Sequence, residues 1–250
     1  MRVALCFYGQ PRDIEDGYKN ISKFMIENSN VQFDVFYHTW FSKKSNVYEA
    51  SKHREISEKT LIQDNQVIEK INSLYNPVKR LVEEPIVFDT SFIKNTISYP
   101  SHPYKQSNLN NVFSQFHSRG KCRDLLNDHI KDTNQKYDIV ISSRFDFYNP
   151  ININLETLDS ARIHVCALHF PRKIIPDAFM IMPTQMYLNV FNVYHNFDKI
   201  LDNHELANIV KQGGENLEFN PEELITSMIY YYDYSEQVFF NHQMPFFCKL

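Results

Sequence analysis

The stretch YDIVISSRFDFYNP, residues 137–150, carries an apolar run, Ile139-Val140-Ile141, that leads into Arg144-Phe145-Asp146. In an extended chain alternate side chains share a face, so Arg144 and Asp146 point one way and Phe145 the other. A carboxylate placed like this can hold a divalent cation that bridges a diphosphate. Hard cations prefer oxygen ligands, and magnesium sites commonly combine one or two carboxylates with substrate phosphates. The neighbouring guanidinium can contact those phosphates or orient the carboxylate. The same spacing also makes a plain strand-end ion pair.

Other polar residues stand where apolar runs stop or start. Val3–Tyr8 gives way to Gly9-Gln10-Pro11-Arg12, where glycine permits close backbone approach and arginine can pair with phosphate oxygens. FDVFYHTW ends on His38-Thr39-Trp40, whose tryptophan can stack on a base or sugar ring or can belong to the core. Asp177 in IIPDAFMIMP precedes an apolar run, where a carboxylate facing a cleft can act as general base towards a hydroxyl, or can cap the turn after Pro176. Glu222 and Glu223 follow Asn220-Pro221 at a helix start, where the helix dipole alone favours acids. In QFHSRGKCRDLL, Ser118, Arg119, Lys121 and Arg123 offer donors or make a solvated helix face. His242 in FNHQMP can reach a metal or a diphosphate, or can be structural.

The elements that must position these residues alternate. Val3–Tyr8 is apolar throughout, as a fully buried strand is, and the glycine and proline after it mark a turn. Residues 14–28 space Ile14, Tyr18, Ile21, Phe24 and Met25 at helical intervals, and 33–40 form a second buried strand. A strand, helix and strand in this order require a right-handed crossover and a parallel sheet. A helix follows around TLIQDNQVIEKINSLY, then a third strand region in VKRLVEEPIVFD. Residues 95–107 hold two prolines and no period, which fits a mobile active-site loop. Residues 108–130 form a helix, interrupted at Gly120, that delivers the chain to a strand at Tyr137–Ser142. Beyond it come strands in ARIHVCAL and DAFMIMP, a helix near 184–202, a helix from Asn220-Pro221 to about Tyr232, and a last strand in EQVFFN. There is no internal repeat and no linker.

Composition bounds the function. A chain of 250 residues, 43% hydrophobic and 22% charged, buries a core without a disulfide or metal staple. The net charge of −4 gives no electrostatic reason to expect duplex nucleic acid or an anionic membrane as partner. Four scattered cysteines, with no CxxC pair, suit a reducing compartment, and no apolar run is long enough to span a membrane. The short apolar start before Gly9 is not a signal peptide.

Taken in order, RVALCFYGQPR, FDVFYHTW, SQFHSRGKCRDLLN, YDIVISSRFDFY, PDAFMIMP and NPEELI resemble the small GT-A glycosyltransferases of bacterial lipopolysaccharide and capsule gene clusters and of large DNA viruses. The resemblance runs from about residue 2 to residue 240. It implies an α/β fold, a nucleotide-diphospho-sugar transferase sheet that is mostly parallel and flanked by helices. One domain would cover 1–250, with a nucleotide-binding part at about 1–148 and an acceptor side at about 149–250. By the same resemblance Gly9, Gln10, Arg12, His38, Trp40, Ser118, Lys121 and Arg144 contact the donor. Asp146 and His242 hold Mn2+ or Mg2+, although Arg144 stands where the family's Asp-x-Asp motif has its first aspartate. Asp177 and Glu222 are the candidate catalytic carboxylates.

The implied activity is hexosyl or deoxyhexosyl transfer from an NDP-sugar donor to a glycan hydroxyl, in surface or capsid polysaccharide synthesis. Its place would be the cytoplasm of a bacterium, or of a host cell if the source is viral. Two alternatives stay open. A sugar nucleotidyltransferase shares the sheet but normally carries a glycine-rich loop after the first strand, where YGQPRD has one glycine. A catalytically inactive sugar- or nucleotide-binding module tolerates Arg144 without further explanation.

Overall fold

The computed structural model describes residues 1–42, 65–97, 106–147, 151–167, 174–192, 196–211 and 220–244. The apolar start of the chain becomes β1, Arg2–Gly9, in the interior of a seven-stranded sheet. Parallel to it on one side runs β2, Gln32–Trp40, and beyond that β3, Lys79–Glu83. On its other side β4, Ile139–Arg144, is again parallel. β1, β2 and β4 lie between two helical layers, so their residues are apolar on both faces. Ala4, Cys6, Phe36 and Val140 face one layer; Leu5, Phe7, Tyr37 and Ile141 face the other.

The sheet continues with β6, Phe179–Pro183, then β5, Ile163–Cys166, and β7, Val238–Asn241, at the edge. β6 is antiparallel to both β4 and β5, so the sheet is mostly parallel with one reversed strand.

One helical layer contains α1, Ile14–Glu27, and α2, Val67–Tyr75. Gly17 of α1 lies against the end of β4: a Cβ there would stand 1.8 Å from the Phe145 carbonyl oxygen. Phe145 itself stacks on Phe7 at 5.4 Å and meets Tyr37 and Tyr75 edge-on at 5.8 Å. Each such aromatic pair contributes about 0.5–1.5 kcal/mol beyond its buried area. The strand-end turn is therefore anchored by the residue between Arg144 and Asp146.

The other layer is built on α3, Gln106–Thr133, with α4 (Thr184–Val190), α5 (Phe197–Leu201), α6 (His204–Lys211) and α7 (Pro221–Tyr231). The helical spacing of 108–130 becomes α3, but Gly120 does not interrupt it. A glycine costs a helix interior about 1 kcal/mol, and the buried side chains Phe116, Cys122 and Leu126 around it outweigh that.

Other expectations are corrected in detail. The apolar stretch VKRLVEEPIVFD yields strand only to Glu83, because Pro85 follows and Ile86 and Val87 are exposed. The single helix expected near 184–202 is two short ones, α4 closing at Phe191. α6 was not expected. The loop expected at 95–107 lies mostly outside the described residues, and α3 already begins at Gln106. Among the described residues no helix is long and apolar enough to cross a membrane.

Candidate active site

From β1 the chain winds outward through β2 and β3, then returns to place β4 on the other side of β1. The order therefore reverses between β1 and β4, and in open α/β sheets the crevice beyond the strand ends at such a point receives ligands. Tyr8 pairs with Arg144 in register, so Gly9 and the turn after Arg144 border that crevice. Gly9 has φ 94°, which glycine adopts without the strain a Cβ brings. Its N–H donates to Ser118 Oγ at 2.7 Å and its carbonyl accepts from Thr39 Oγ1 at 2.8 Å.

At the same edge Asp146 is 2% exposed and gathers two guanidinium groups. Arg144 donates through Nε to Oδ1 at 2.8 Å and through Nη2 to Oδ2 at 2.6 Å; Arg12 Nη2 reaches Oδ2 at 2.9 Å. Two guanidinium forks thus converge on one buried carboxylate at the strand ends, and forks of this kind also suit the oxygens of an anionic ligand. The same geometry does not fit a divalent cation on Asp146. Both of its oxygens are engaged by guanidinium groups, and a metal would face two positive charges. His242 does not complete such a site: it is exposed just beyond β7, three strands from β4, or about 14 Å of sheet.

A second polar group lies on the α3 face of the sheet. Tyr8 OH donates to the Asp177 carbonyl at 2.7 Å. Arg119, with 0% exposure, lies over the Tyr8 ring at 3.9 Å, and its Nη2 donates to Tyr8 OH and to the Asp177 carbonyl. The same Nη2 stands 3.9 Å from Asp177 Oδ2, which also accepts from Gln115 Nε2. Glu222, in the first turn of α7, lies within the field of Asp177. Burial, and then the Asp177 charge, push its carboxyl up to about 8, against the pull of Arg119. The turn that presents Glu222 is set by Asn220, whose Oδ1 accepts from Glu223 N–H at 2.8 Å, and by Pro221 in the first turn.

A third group joins β2, β3 and α3. His38 Nε2 and His117 Nε2 approach the same oxygen of Glu83, at 2.8 and 2.7 Å. His38 Nδ1 stands 2.7 Å from Ser118 Oγ. Trp40 packs against both imidazoles, with ring centroids at 4.9 Å, and its Nε1–H points to the Ser114 carbonyl at 3.4 Å. Burial lowers the His38 pKa to about 4 and lowers that of His117 as well. Glu83 is held below the usual carboxylate range, burial being outweighed by its two imidazole hydrogen bonds.

The structure thus brings Gly9, Arg12, Arg144 and Asp146 together, with Gln10 in the intervening turn, where its carbonyl accepts from Arg12 N–H at 2.9 Å. It brings Asp177 and Glu222 together in a second group. His38 and Trp40 are buried and belong to the third. Ser118 links that third group to Gly9, whereas Lys121, one helical turn beyond His117, acts on the imidazoles through its charge. His242 joins none of the three. Sequence reading missed Tyr8, Glu83, Gln115 and His117, and passed over Arg119 among the helix donors. One signal was present: Gln115, Ser118, Arg119 and Cys122 share a helix face whose continuation, Leu126, is apolar, so that face turns inward, and Ser118 and Arg119 on it are buried while Gln115 is half-buried.

No family model and no curated protein matches the chain. Among solved structures it is similar to the galactosyltransferase LgtC in complex with donor and acceptor sugar analogues, at 7% identity and a TM-score of 0.45, covering 96% of this chain and 73% of that one. It is similar to 4-diphosphocytidyl-2C-methyl-D-erythritol synthase from Anaerococcus prevotii DSM 20548, at 8% identity and a TM-score of 0.37, covering 95% and 86%. A third is the bifunctional glycosyltransferase WbbM, at 10% identity and a TM-score of 0.39, covering 96% of this chain and 38% of that one.

Proposed function

We propose that the chain is a GT-A-like glycosyltransferase that moves a hexosyl or deoxyhexosyl group from an NDP-sugar to a glycan hydroxyl, in surface or capsid polysaccharide synthesis. The observation that carries this reading is the convergence of Arg12 and Arg144 on Asp146, beside Gly9, at the reversal point of the sheet. A diphosphate is the anion that two forked guanidinium groups and an open backbone turn suit best. Residues 1–148 would bind the donor and residues 149–250 would form the acceptor side. The buried free thiols Cys6, Cys122 and Cys166 fit a cytoplasmic enzyme.

In an inverting transfer the acceptor oxygen attacks the anomeric carbon as its proton passes to Asp177. The bond from that carbon to the diphosphate breaks, and its electron pair stays on the diphosphate. Arg12 and Arg144 stabilise the charge that develops there, the task a metal performs in other sites. Glu222, which keeps its proton to about pH 8, allows two carboxyls to stand near one another without mutual repulsion. Gln115 and Arg119 orient Asp177 from α3.

The test is a thermal-shift panel of UDP, GDP, CDP, dTDP and their sugars, with and without manganese, on wild type and Arg144→Ala. One nucleotide should raise the midpoint whether or not manganese is present. Loss of a charge-assisted hydrogen bond, about 1.5–3 kcal/mol, should weaken its binding in Arg144→Ala roughly 10–100-fold. Absence of any shift, or one that needs manganese and is indifferent to Arg144, would defeat the proposal.

A further inference from the structure

We infer that His38, Glu83 and His117 form a zinc site, separate from the Arg12–Asp146–Arg144 cluster. It stands on its own geometry and is independent of the donor reading. The three ligand atoms come from three elements, β2, β3 and α3, and lie within 4.8 Å of one another. Two imidazoles and a carboxylate with one open position are a ligand set that Zn2+ takes readily, whereas Mg2+ and Ca2+ prefer oxygen alone.

The surroundings are those of a metal site. A ligating histidine ordinarily donates its other ring N–H to an oriented acceptor, which fixes the tautomer. Ser118 Oγ is 2.7 Å from His38 Nδ1 and 3.3 Å from the His38 carbonyl. With the serine proton on that carbonyl, Oγ accepts from Nδ1–H and from Gly9 N–H, and the Nε2 lone pair turns towards Glu83. Trp40 and Phe88 wall the imidazoles, Phe88 at 5.5 Å from His117. His38 is closed off at 0% exposure, while the Glu83 side chain, at 32%, leaves a way in for the cation and a fourth ligand. Among the charges acting on His117 are Lys121, which opposes a cation, and Asp124, which favours one.

The test is calorimetric titration of the chelator-treated full chain with ZnCl2, with CoCl2 as a spectroscopic substitute. The expected result is one ion per chain and the visible bands of four-coordinate Co2+. His117→Gln and Glu83→Gln, which keep a hydrogen-bonding side chain at each position, should abolish binding while the circular dichroism spectrum stays that of wild type. Ser118→Ala should weaken binding about 10–100-fold, and Asp146→Asn should leave it unchanged. The inference is overturned if no ion binds, if His117→Gln binds zinc as wild type does, or if Asp146→Asn also loses it. Nucleotide shifts measured without zinc report on the donor reading alone, so the two can fail separately.

Discussion

Arg144 and Asp146 occupy a strand end as a bidentate ion pair whose second cation, Arg12, comes from the turn after β1. Their alternation was readable from the order of residues, since Phe145 must turn to the other face and be buried there. The partnership with Arg12 was not, because it spans the sheet and depends on β1 and β4 being neighbours. Glu83 and His117 were hidden for the same reason: neither stands out locally, and only the pairing of β3 with β2 and the packing of α3 on the sheet bring them to His38. Gly17 is a residue whose type is dictated from outside its helix. In an exposed helix Gly17→Ala would stabilise by up to about 1 kcal/mol. Here the added Cβ meets the Phe145 carbonyl, so the variant should instead lose more than about 2 kcal/mol, as overpacking does. Urea unfolding decides between the two signs.

Among the elements, β1 was legible as an apolar run, β2 and β4 by shorter apolar stretches that end in polar residues, and α1 and α3 by their period. The reversed direction of β6 was not legible, because a strand buried on both faces reads alike whichever way it runs. The close of α4 at Phe191 was lost in an apolar stretch that continues without a glycine or proline stop signal. α7 was announced by Asn220-Pro221 and starts there, with the asparagine side chain closing the first turn. Asn220→Ala should cost about 1 kcal/mol of stability. Because that turn carries Glu222, the variant should also lose transfer activity by more than its fall in folded fraction. Parallel measurement of the urea midpoint and of turnover separates the two effects.

For the whole molecule, the raised pKa of Glu222 makes stability depend on pH. Its carboxyl titrates near 4.5 when unfolded and near 8 when folded, so the native state binds the extra proton between these values. The stabilisation is complete below about pH 4.5 and is lost as pH rises through about 8. Glu222→Gln removes that loss. Between about pH 6 and about pH 9 the wild-type urea midpoint should fall more than that of the variant. Equal slopes would mean that Glu222 is ionised in the native state across this range.

All three polar groups draw on one stretch of α3: Gln115 and Arg119 serve Asp177, His117 meets Glu83, and Ser118 joins His38 to Gly9. Each residue inserted into a helix turns everything beyond it by about 100° and advances it by about 1.5 Å. An insertion ahead of Gln115 would therefore misplace every one of these side chains together, whereas a substitution removes them singly. Relatives of this chain should vary at the outward-facing positions of 106–133 yet keep its length fixed, with gains and losses of residues confined to the connections on either side.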